Sequence, residues 1–531
     1  MKKRTAGKWN EDRNNRRQFL KLAGFGTLGM LTGGAWPLLK QSVASQNQET
    51  NPGTEFNPDL DISLTARPGE VTIFPGDPTR VWQYHATVNK GDKNRVIELP
   101  RSYLGPIIKV HQGENIRIRF FNSIQEESIV HWHGLHVPAI MDGHPRYVIP
   151  QGQSYLYEFE VNNRAGTYWY HPHPHGRTGP QVYKGLAGLF LVSDEEEQAV
   201  GLPDDEYDIP LVLQDRMFDP DNQLVYTSGH RMEQMTGFLG DWIMVNGMVD
   251  FTLPVATSAY RLRLLNGSNS RIYKIAWKDG RPLTIIGTDG GLLEKPVYRK
   301  YAFLGPGERL EIWADFSDSP NDFETSLISL PFDVGGMSGS RMGRGMMMGG
   351  GMSQNQSLPN GAGFTVCKFK VSKRVAKKQS LPEYLSEIAP LRIDEAVNYY
   401  NPRQFYLTMR HMQWSINGRV FQMEGVADDE IVQLGSKEIW EFHNTGGGMM
   451  NMMNMPHPIH LHGKQFRVLE RSGVRHQGYV DEGWKDTVLL MPGERIKILV
   501  DFDDYPGMFL YHCHNLEHED MGMMRNYYVK A

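Results

Sequence analysis

The sequence predicts an all-β chain folded as three β-sandwiches, and three observations carry that expectation. Short apolar runs alternate with polar residues at period two, as in Asn115-Ile116-Arg117-Ile118-Arg119-Phe120 and Arg495-Ile496-Lys497-Ile498-Leu499-Val500, and Gly, Pro, Asn and Asp bound them. That is the pattern of half-buried antiparallel strands. A phrase recurs: Gly305-Pro306-Gly307-Glu308-Arg309-Leu310-Glu311-Ile312-Trp313-Ala314-Asp315-Phe316 returns as Met491-Pro492-Gly493-Glu494-Arg495-Ile496-Lys497-Ile498-Leu499-Val500-Asp501-Phe502, with a looser copy from Gln112 to Phe120. Finally, 531 residues exceed what one hydrophobic core accommodates.

The repeat sets the boundaries. Val245-Asn246-Gly247 and Ile416-Asn417-Gly418 each precede strand-rich stretches of comparable length, giving units at about 60–195, 205–371 and 403–531. The charged stretch Ser372 to Lys378 and the residues up to Pro402 form the second connection. Two segments depart from this texture: residues 335–352 are almost wholly Gly, Met, Ser and Arg, and residues 446–455 read Gly-Gly-Gly-Met-Met-Asn-Met-Met-Asn-Met. Neither has a β-branched or aromatic residue to pack, so both are expected to be mobile loops rather than core.

The N-terminus reads as an export signal. Basic residues lead into Asn15-Arg16-Arg17-Gln18-Phe19-Leu20-Lys21, a weakly apolar stretch follows from Leu22 to Leu39, and Ser42-Val43-Ala44 supplies small residues for cleavage. Gly24, Gly26, Gly29, Gly33, Gly34 and Pro37 make that stretch a poor spanning helix. Residues 1–44 are therefore expected to be a cleaved twin-arginine signal read by the twin-arginine export machinery, delivering a folded protein to the periplasm or beyond. No later run approaches the roughly 20 apolar residues of a membrane span.

Composition excludes other partners. With 56 Lys plus Arg against 61 Asp plus Glu there is no basic field for nucleic acid. Two cysteines, Cys367 and Cys513, are too few for a disulfide scaffold. Cys367, in the alternating run Phe364-Thr365-Val366-Cys367-Lys368-Phe369 without a nearby histidine, reads as a buried structural thiol.

Chemistry concentrates in histidine. Of 19 histidines, twelve fall in four windows: His131-Trp132-His133-Gly134-Leu135-His136, His171-Pro172-His173-Pro174-His175, His457-Pro458-Ile459-His460-Leu461-His462 and His512-Cys513-His514-Asn515-Leu516-Glu517-His518. On a strand, residues two apart share a face, so each His-x-His presents two imidazoles to one side. Imidazole suits copper, zinc or iron, and four such pairs can hold several ions. Two pairs lie in the first unit and two in the third, so a multinuclear site must form where those units meet. Cys513 faces opposite to His512 and His514, free to bind a separate metal. With His457, His518 and Met523 it makes the two-histidine, one-cysteine set with a weak axial Met that marks a blue-copper site; Met521 and Met524 are alternative axial ligands.

At these residues the chain resembles the three-domain multicopper oxidases, the group of laccases, bacterial cuprous oxidases and bilirubin oxidases, over essentially its whole mature length. The resemblance implies three cupredoxin-like Greek-key sandwiches and four copper ions: one type 1, one type 2 and a type 3 pair. It implies that His457, Cys513, His518 and Met523 hold type 1, that His131 and His460 hold type 2, and that His133, His171, His173, His462, His512 and His514 hold type 3. His136 and His175 match no ligand position and read as supporting or surface residues. Carboxylates beside the cluster supply protons in this family, and Asp142 and Glu519 match those positions; their plain alternative is a surface acid or a partner of a histidine.

The implied reaction takes electrons from a substrate and reduces dioxygen to water. Cu(I) is the favoured substrate, because thioethers select it and Met450, Met452, Met453 and Met455 precede His457, with Met337, Met342, Met346, Met347, Met348 and Met352 in the other loop. Some cuprous oxidases carry an acidic residue just before the first type 1 histidine, where this chain has Met453 and Asn454. Phenols, aromatic amines or bilirubin are the alternative reductants, and a periplasmic copper-binding protein without turnover is the alternative class. A monomer is expected.

Overall fold

The computed structural model describes residues 56–227, 231–334, 358–376, 378–444 and 454–531. The expected signal (1–44), the loop 335–352 and nearly all of the Met-rich run 446–455 lie outside the described residues. The rest forms six sheets in three face-to-face pairs. The first pair runs from Leu60 to Ser193, the second from Asp208 to Lys373 and the third from Arg403 to Lys530. Each pair closes on its own apolar core, with Ile62, Ile118 and Phe190 in the first, Leu262, Ile312 and Leu327 in the second, and Phe405, Ile498 and Tyr511 in the third.

Alternation is realised where one face meets a core: Asn115–Asn122 buries every second residue. The turns also obey local chemistry. Asn246 and Gly247 take positive φ (52° and 77°) in a two-residue hairpin joining Trp242–Val245 to Met248–Val249, the backbone such primed turns require.

Three expectations are corrected. The sheets are not wholly antiparallel. In every unit the first strand runs parallel to a later one: Leu60–Val71 with Asn115–Asn122, Asp208–Arg216 with Ala259–Asn266, and Arg403–Arg410 with Ser436–Asn444. Parallel neighbours need a crossover, here through the opposite sheet, which alternation alone does not reveal. The first-unit counterpart of the repeated phrase is also not Gln112–Phe120. Counting outward from each parallel pair, Arg309–Asp315 and Arg495–Phe502 correspond to Ser154–Glu160, introduced by Pro150-Gln151-Gly152-Gln153. Finally, Arg309–Asp315 is buried on both faces. Its outward side chains meet the first sandwich through Glu311 and Thr167, 2.7 Å apart, and the two connections through an apolar seam of Trp313 with Leu202 and Leu385. The connection before Pro402 is thus packed rather than free.

Met455, expected in a mobile loop, is buried in the third core, and its carbonyl accepts from Asn444 Nδ2 at 2.8 Å. Cys367 is buried in the second core, and burial pushes its thiol up. No helix among the described residues is long and apolar enough to cross a membrane.

Candidate metal centres

Strand pairing brings the histidine windows together two by two. Val130–His133 pairs antiparallel with Gly166–Pro172, setting His131 opposite His171; His457–Leu461 pairs with Gly507–Cys513, setting His460 opposite His512. The first and third sandwiches then meet face to face at these strands. The His133 and His460 rings stack with centroids 3.7 Å apart at 9°, and those of His131 and His462 at 3.7 Å and 23°. All eight histidines of the four His-x-His pairs, 131, 133, 171, 173, 460, 462, 512 and 514, are essentially fully buried.

Six of the eight rings, all but His173 and His514, are oriented through one nitrogen by a carbonyl, carboxylate or hydroxyl outside the nest. His131 Nδ1 donates to the Asp142 carbonyl (2.6 Å), His460 Nδ1 to the Asp486 carbonyl (2.8 Å), His171 Nδ1 to the Pro172 carbonyl (2.9 Å) and His512 Nδ1 to the Cys513 carbonyl (3.1 Å). A carbonyl only accepts, so the proton sits on Nδ1 and Nε2 is a bare lone pair. Yet His131 Nε2 lies 3.3 Å from His460 Nε2, and His512 Nε2 lies 3.0 Å from His462 Nε2 and 3.4 Å from His173 Nε2. His171 Nε2, His133 Nδ1 and both nitrogens of His514 have no hydrogen-bond partner. Burial holds His131, His133, His173, His462, His512 and His514 well below the ordinary imidazole range, and His171 at about 3. Neutral imidazoles with converging lone pairs fit bound cations of the copper class.

A second, smaller site lies behind the same strand. Trp132 and Cys513, between their histidines, turn the other way into the first and third cores. Cys513 Sγ lies 3.3 Å from His457 Nδ1 and 3.6 Å from His518 Nδ1, and these two nitrogens are 3.3 Å apart. His518 Nε2 donates to the Met235 carbonyl at 2.9 Å, leaving Nδ1 free to ligate. Burial pushes the Cys513 thiol up, a preference that a bound metal reverses by deprotonating it. Met523 shares the buried cluster with Cys513, and its carbonyl accepts from Cys513 N at 3.1 Å. Met524 packs elsewhere, with Phe421 and Leu510, and Met521 lies at the cluster's edge.

Both acids singled out in the sequence are buried against the nest. Asp142 Oδ2 accepts from His462 Nδ1 at 2.8 Å, and burial pushes its carboxyl up. Glu519 has one oxygen 3.2 Å from His512 Nδ1 and the other 3.5 Å from His173 Nε2; burial and then Asp520 push it up. His136 instead faces Asp504 (3.1 Å), and His175 packs on Phe421 (4.8 Å).

Sequence reasoning missed several supports. Asp486 and Thr487 hold His133 Nε2, each at 3.1 Å. Burial pushes the Asp486 carboxyl up, but Arg309 and then His133 outweigh it and hold it well below the usual range. Trp414 covers the smaller site, 4.7 Å from the His457 ring and 4.8 Å from that of His518, and its Nε1 donates to the Met235 carbonyl at 3.0 Å. Nothing in single residues such as Asp486 or Met235 separates them from ordinary turn and core positions.

Comparison with known proteins places this arrangement. A multicopper oxidase family model matches residues 80–197 and another matches residues 396–531. The multicopper oxidase mco of Staphylococcus aureus is 31% identical over 435 residues, 82% of this chain and 84% of that protein. The chain belongs to the multicopper oxidase family. A laccase of Bacillus stratosphericus is 30% identical, covering 84% of this chain and 90% of its own. Among solved structures, the McoA multicopper oxidase of the hyperthermophile Aquifex aeolicus superposes with a TM-score of 0.74 at 35% identity, over 90% of this chain and 97% of that one. This multicopper oxidase is an oxidoreductase of cupredoxin-like sandwiches that uses copper.

Proposed function

We propose that this oxidase takes single electrons from a reducing substrate at the Cys513 site and reduces dioxygen to water at the histidine nest, with Cu(I) as the substrate and copper tolerance as the role. The observation that carries the reading is the alternation along one strand. Cys513 faces His457 and His518 while His512 and His514, one peptide away on either side, face the nest.

His457, Cys513, His518 and the Met523 sulfur would hold a type 1 ion. His131 and His460 would hold type 2, and His133, His171, His173, His462, His512 and His514 a type 3 pair, making four copper ions. Bound copper supplies the one-electron chemistry at the first site and the binding and reduction of dioxygen at the second. The chain's own residues do the rest. Carbonyls of Asp142, Asp486, Pro172 and Cys513 fix the ring tautomers. Burial keeps bulk water from the nest. Asp142 and Glu519 hold protons on carboxyl groups that lie against His462 and His512. Glu519 adjoins Asp520, the first acid of that helix to reach partial exposure, which gives proton uptake an outward direction.

Cu(I) is favoured because the imidazole edge of His518 is closed: the ring is fully buried beneath Met235 and Trp414. A bulky aromatic has no open approach there, whereas a small soft ion can be gathered by thioethers of the Met-rich runs. The likeness to a laccase supports the second reading, oxidation of phenols, aromatic amines or bilirubin. A copper-binding role without turnover is disfavoured by the complete donor set. The signal-like residues 1–44 support export to the periplasm, and the protein is proposed to act as a monomer.

The test is oxygen consumption by fully copper-loaded protein with Cu(I), a diphenol and bilirubin. Replacing Met450, Met452 and Met453 by Ser, or deleting residues 337–352, is expected to lower kcat/KM for Cu(I) and leave that for the diphenol equal or higher. Met455 is left intact because it fills the third core. Undiminished Cu(I) oxidation in both variants overturns Cu(I) specificity in favour of a laccase-like oxidase.

A further inference from the structure

Among the described residues the second sandwich contributes no histidine or cysteine to either centre, yet one of its side chains reaches all three units. The repeated turn in this sandwich, Gly305-Pro306-Gly307-Glu308, abuts the nest: a Cβ on Gly307 would lie 3.1 Å from the His514 ring and 3.2 Å from that of His133. The equivalent turn of the third sandwich has only Arg475, 4.0 Å from a Cβ on Gly493. Arg309, which follows, is completely buried and uses all five guanidinium N–H groups. Nε donates to the Thr167 carbonyl of the first sandwich at 2.9 Å. Nη1 donates to the Gly307 carbonyl at 3.0 Å and to Asp486 Oδ1 at 2.7 Å. Nη2 donates to the Asp289 carbonyl at 3.0 Å and to Asp486 Oδ2. This is the two-pronged carboxylate geometry that only arginine provides.

The Asp486 carboxylate so fixed is the acceptor for His133 Nε2, and the same residue's carbonyl is the acceptor for His460 Nδ1. Those two rings, from different sandwiches, are the pair stacked at 3.7 Å. Gly134, directly after His133, has φ of +89°, and a Cβ there would collide with Asp486 and Arg309.

We infer that Arg309 is a positioning residue for the trinuclear nest. It fixes Asp486, whose carboxylate sets the tautomer and tilt of His133 and whose carbonyl sets those of His460, so that a sandwich with no ligand among the described residues decides how well the nest holds copper. Supporting groups of this kind change metal affinity by roughly 10- to 100-fold when removed. The inference rests on the reading of the nest as a copper cluster.

The experiment uses fully loaded enzyme, wild type and Arg309→Met, and follows two signals: the visible thiolate-to-copper band of the Cys513 site, and the electron paramagnetic resonance and chelator resistance of the remaining copper. Arg261→Met is the control, since it breaks a buried ion pair with Glu311 in the same sheet (2.7 Å) without touching the nest. The expected result is at least a ~10-fold weaker hold on nest copper in Arg309→Met, an altered resonance, an unchanged visible band, and a smaller loss in Arg309→Lys, which restores charge but not the fork. Wild-type retention in Arg309→Met overturns the inference, as does equal loss in Arg261→Met, because the role is then general stability. Should Arg309→Met not fold, Arg309→Lys and Asp486→Asn are judged by the same two signals. If wild type itself holds no copper in the nest, the cluster reading falls instead.

Discussion

Glu311 offers a quantitative test of how the first two sandwiches are joined. Its side chain is fully buried, with Oε1 accepting from Thr167 Oγ1 (2.7 Å) and Arg263 Nη1 (3.0 Å) and Oε2 from Arg261 Nε (2.7 Å). Burial pushes the carboxyl up, but Arg261, Arg263 and Thr167 outweigh it and hold it at about 2, against an ordinary 4.5. At about 1.36 kcal/mol per pH unit, that gap corresponds to about 3 kcal/mol. The folded-state value is depressed, so this stability is fully present above pH 4.5 and is lost as pH falls through about 2. Glu311→Gln keeps the size and the acceptor for Thr167 but removes the charge and leaves two buried arginines short of a partner. Near neutral pH the variant should be less stable by about 3 kcal/mol, a drop of roughly 6–12 °C for a unit of this size, and the gap should close toward pH 2. Scanning calorimetry of copper-free protein, following the transition of the second sandwich from pH 7 to 2, measures it. A gap that stays constant with pH, or is below about 1 kcal/mol near neutrality, refutes the argument that the ionised carboxylate stabilises this junction.

Cys513→Ser should abolish the visible charge-transfer band and oxidase activity while the chain still folds; a persistent blue colour removes Cys513 from the site. Glu519→Gln should slow reoxidation by dioxygen on the order of 10²-fold, the usual scale for a lost proton donor, with reduction of the Cys513 site at its normal rate. Unchanged turnover at acid and neutral pH in both Glu519→Gln and Asp142→Asn removes the proton role. Trp414→Ala opens the cover on His518 and should raise kcat/KM for a diphenol while costing about 3–5 kcal/mol of stability; a variant equally stable and no better with the diphenol shows that Trp414 does not shield that edge.

What could be read from the sequence was whatever depends on near neighbours. Period-two alternation located Asn115–Asn122 and Arg495–Phe502, and because strand faces alternate, His512-Cys513-His514 already implied two separate sites. Contacts between distant segments were not legible. The parallel pairing of each first strand leaves no local mark, so the repeat was aligned to Asn115–Asn122 when its structural partner is Ser154–Glu160. Arg309 stood in plain view inside that repeat, but in Arg495 the same position is exposed, and only docking against Thr167 and Asp486 gives Arg309 its role. Met455 looked like loop because the run 446–455 has no β-branched or aromatic residue to pack; its burial comes with Asn444 anchoring its carbonyl beneath the third core.

The division of labour among the sandwiches follows from where the lone pairs point. Neither the first nor the third unit can complete the nest alone: His131 Nε2 faces His460 Nε2 across the boundary, and His173 Nε2 faces His512 Nε2. A cation held there adds its binding energy to the docking of the two sandwiches. Misplacement by even a fraction of an ångström is therefore costly, and the second sandwich supplies independent registration at two points. Arg309 grips Asp486 beside the nest. Glu517, on the helix that carries His518, accepts from Phe238 N (3.0 Å), Tyr226 Oη (2.7 Å) and Asn269 Nδ2 (2.8 Å), all from the second sandwich or its approach. One clamp acts through Asp486, just ahead of the strand Thr487–Leu490 that pairs with His457–Leu461, and the other through Glu517 on the helix that follows Cys513.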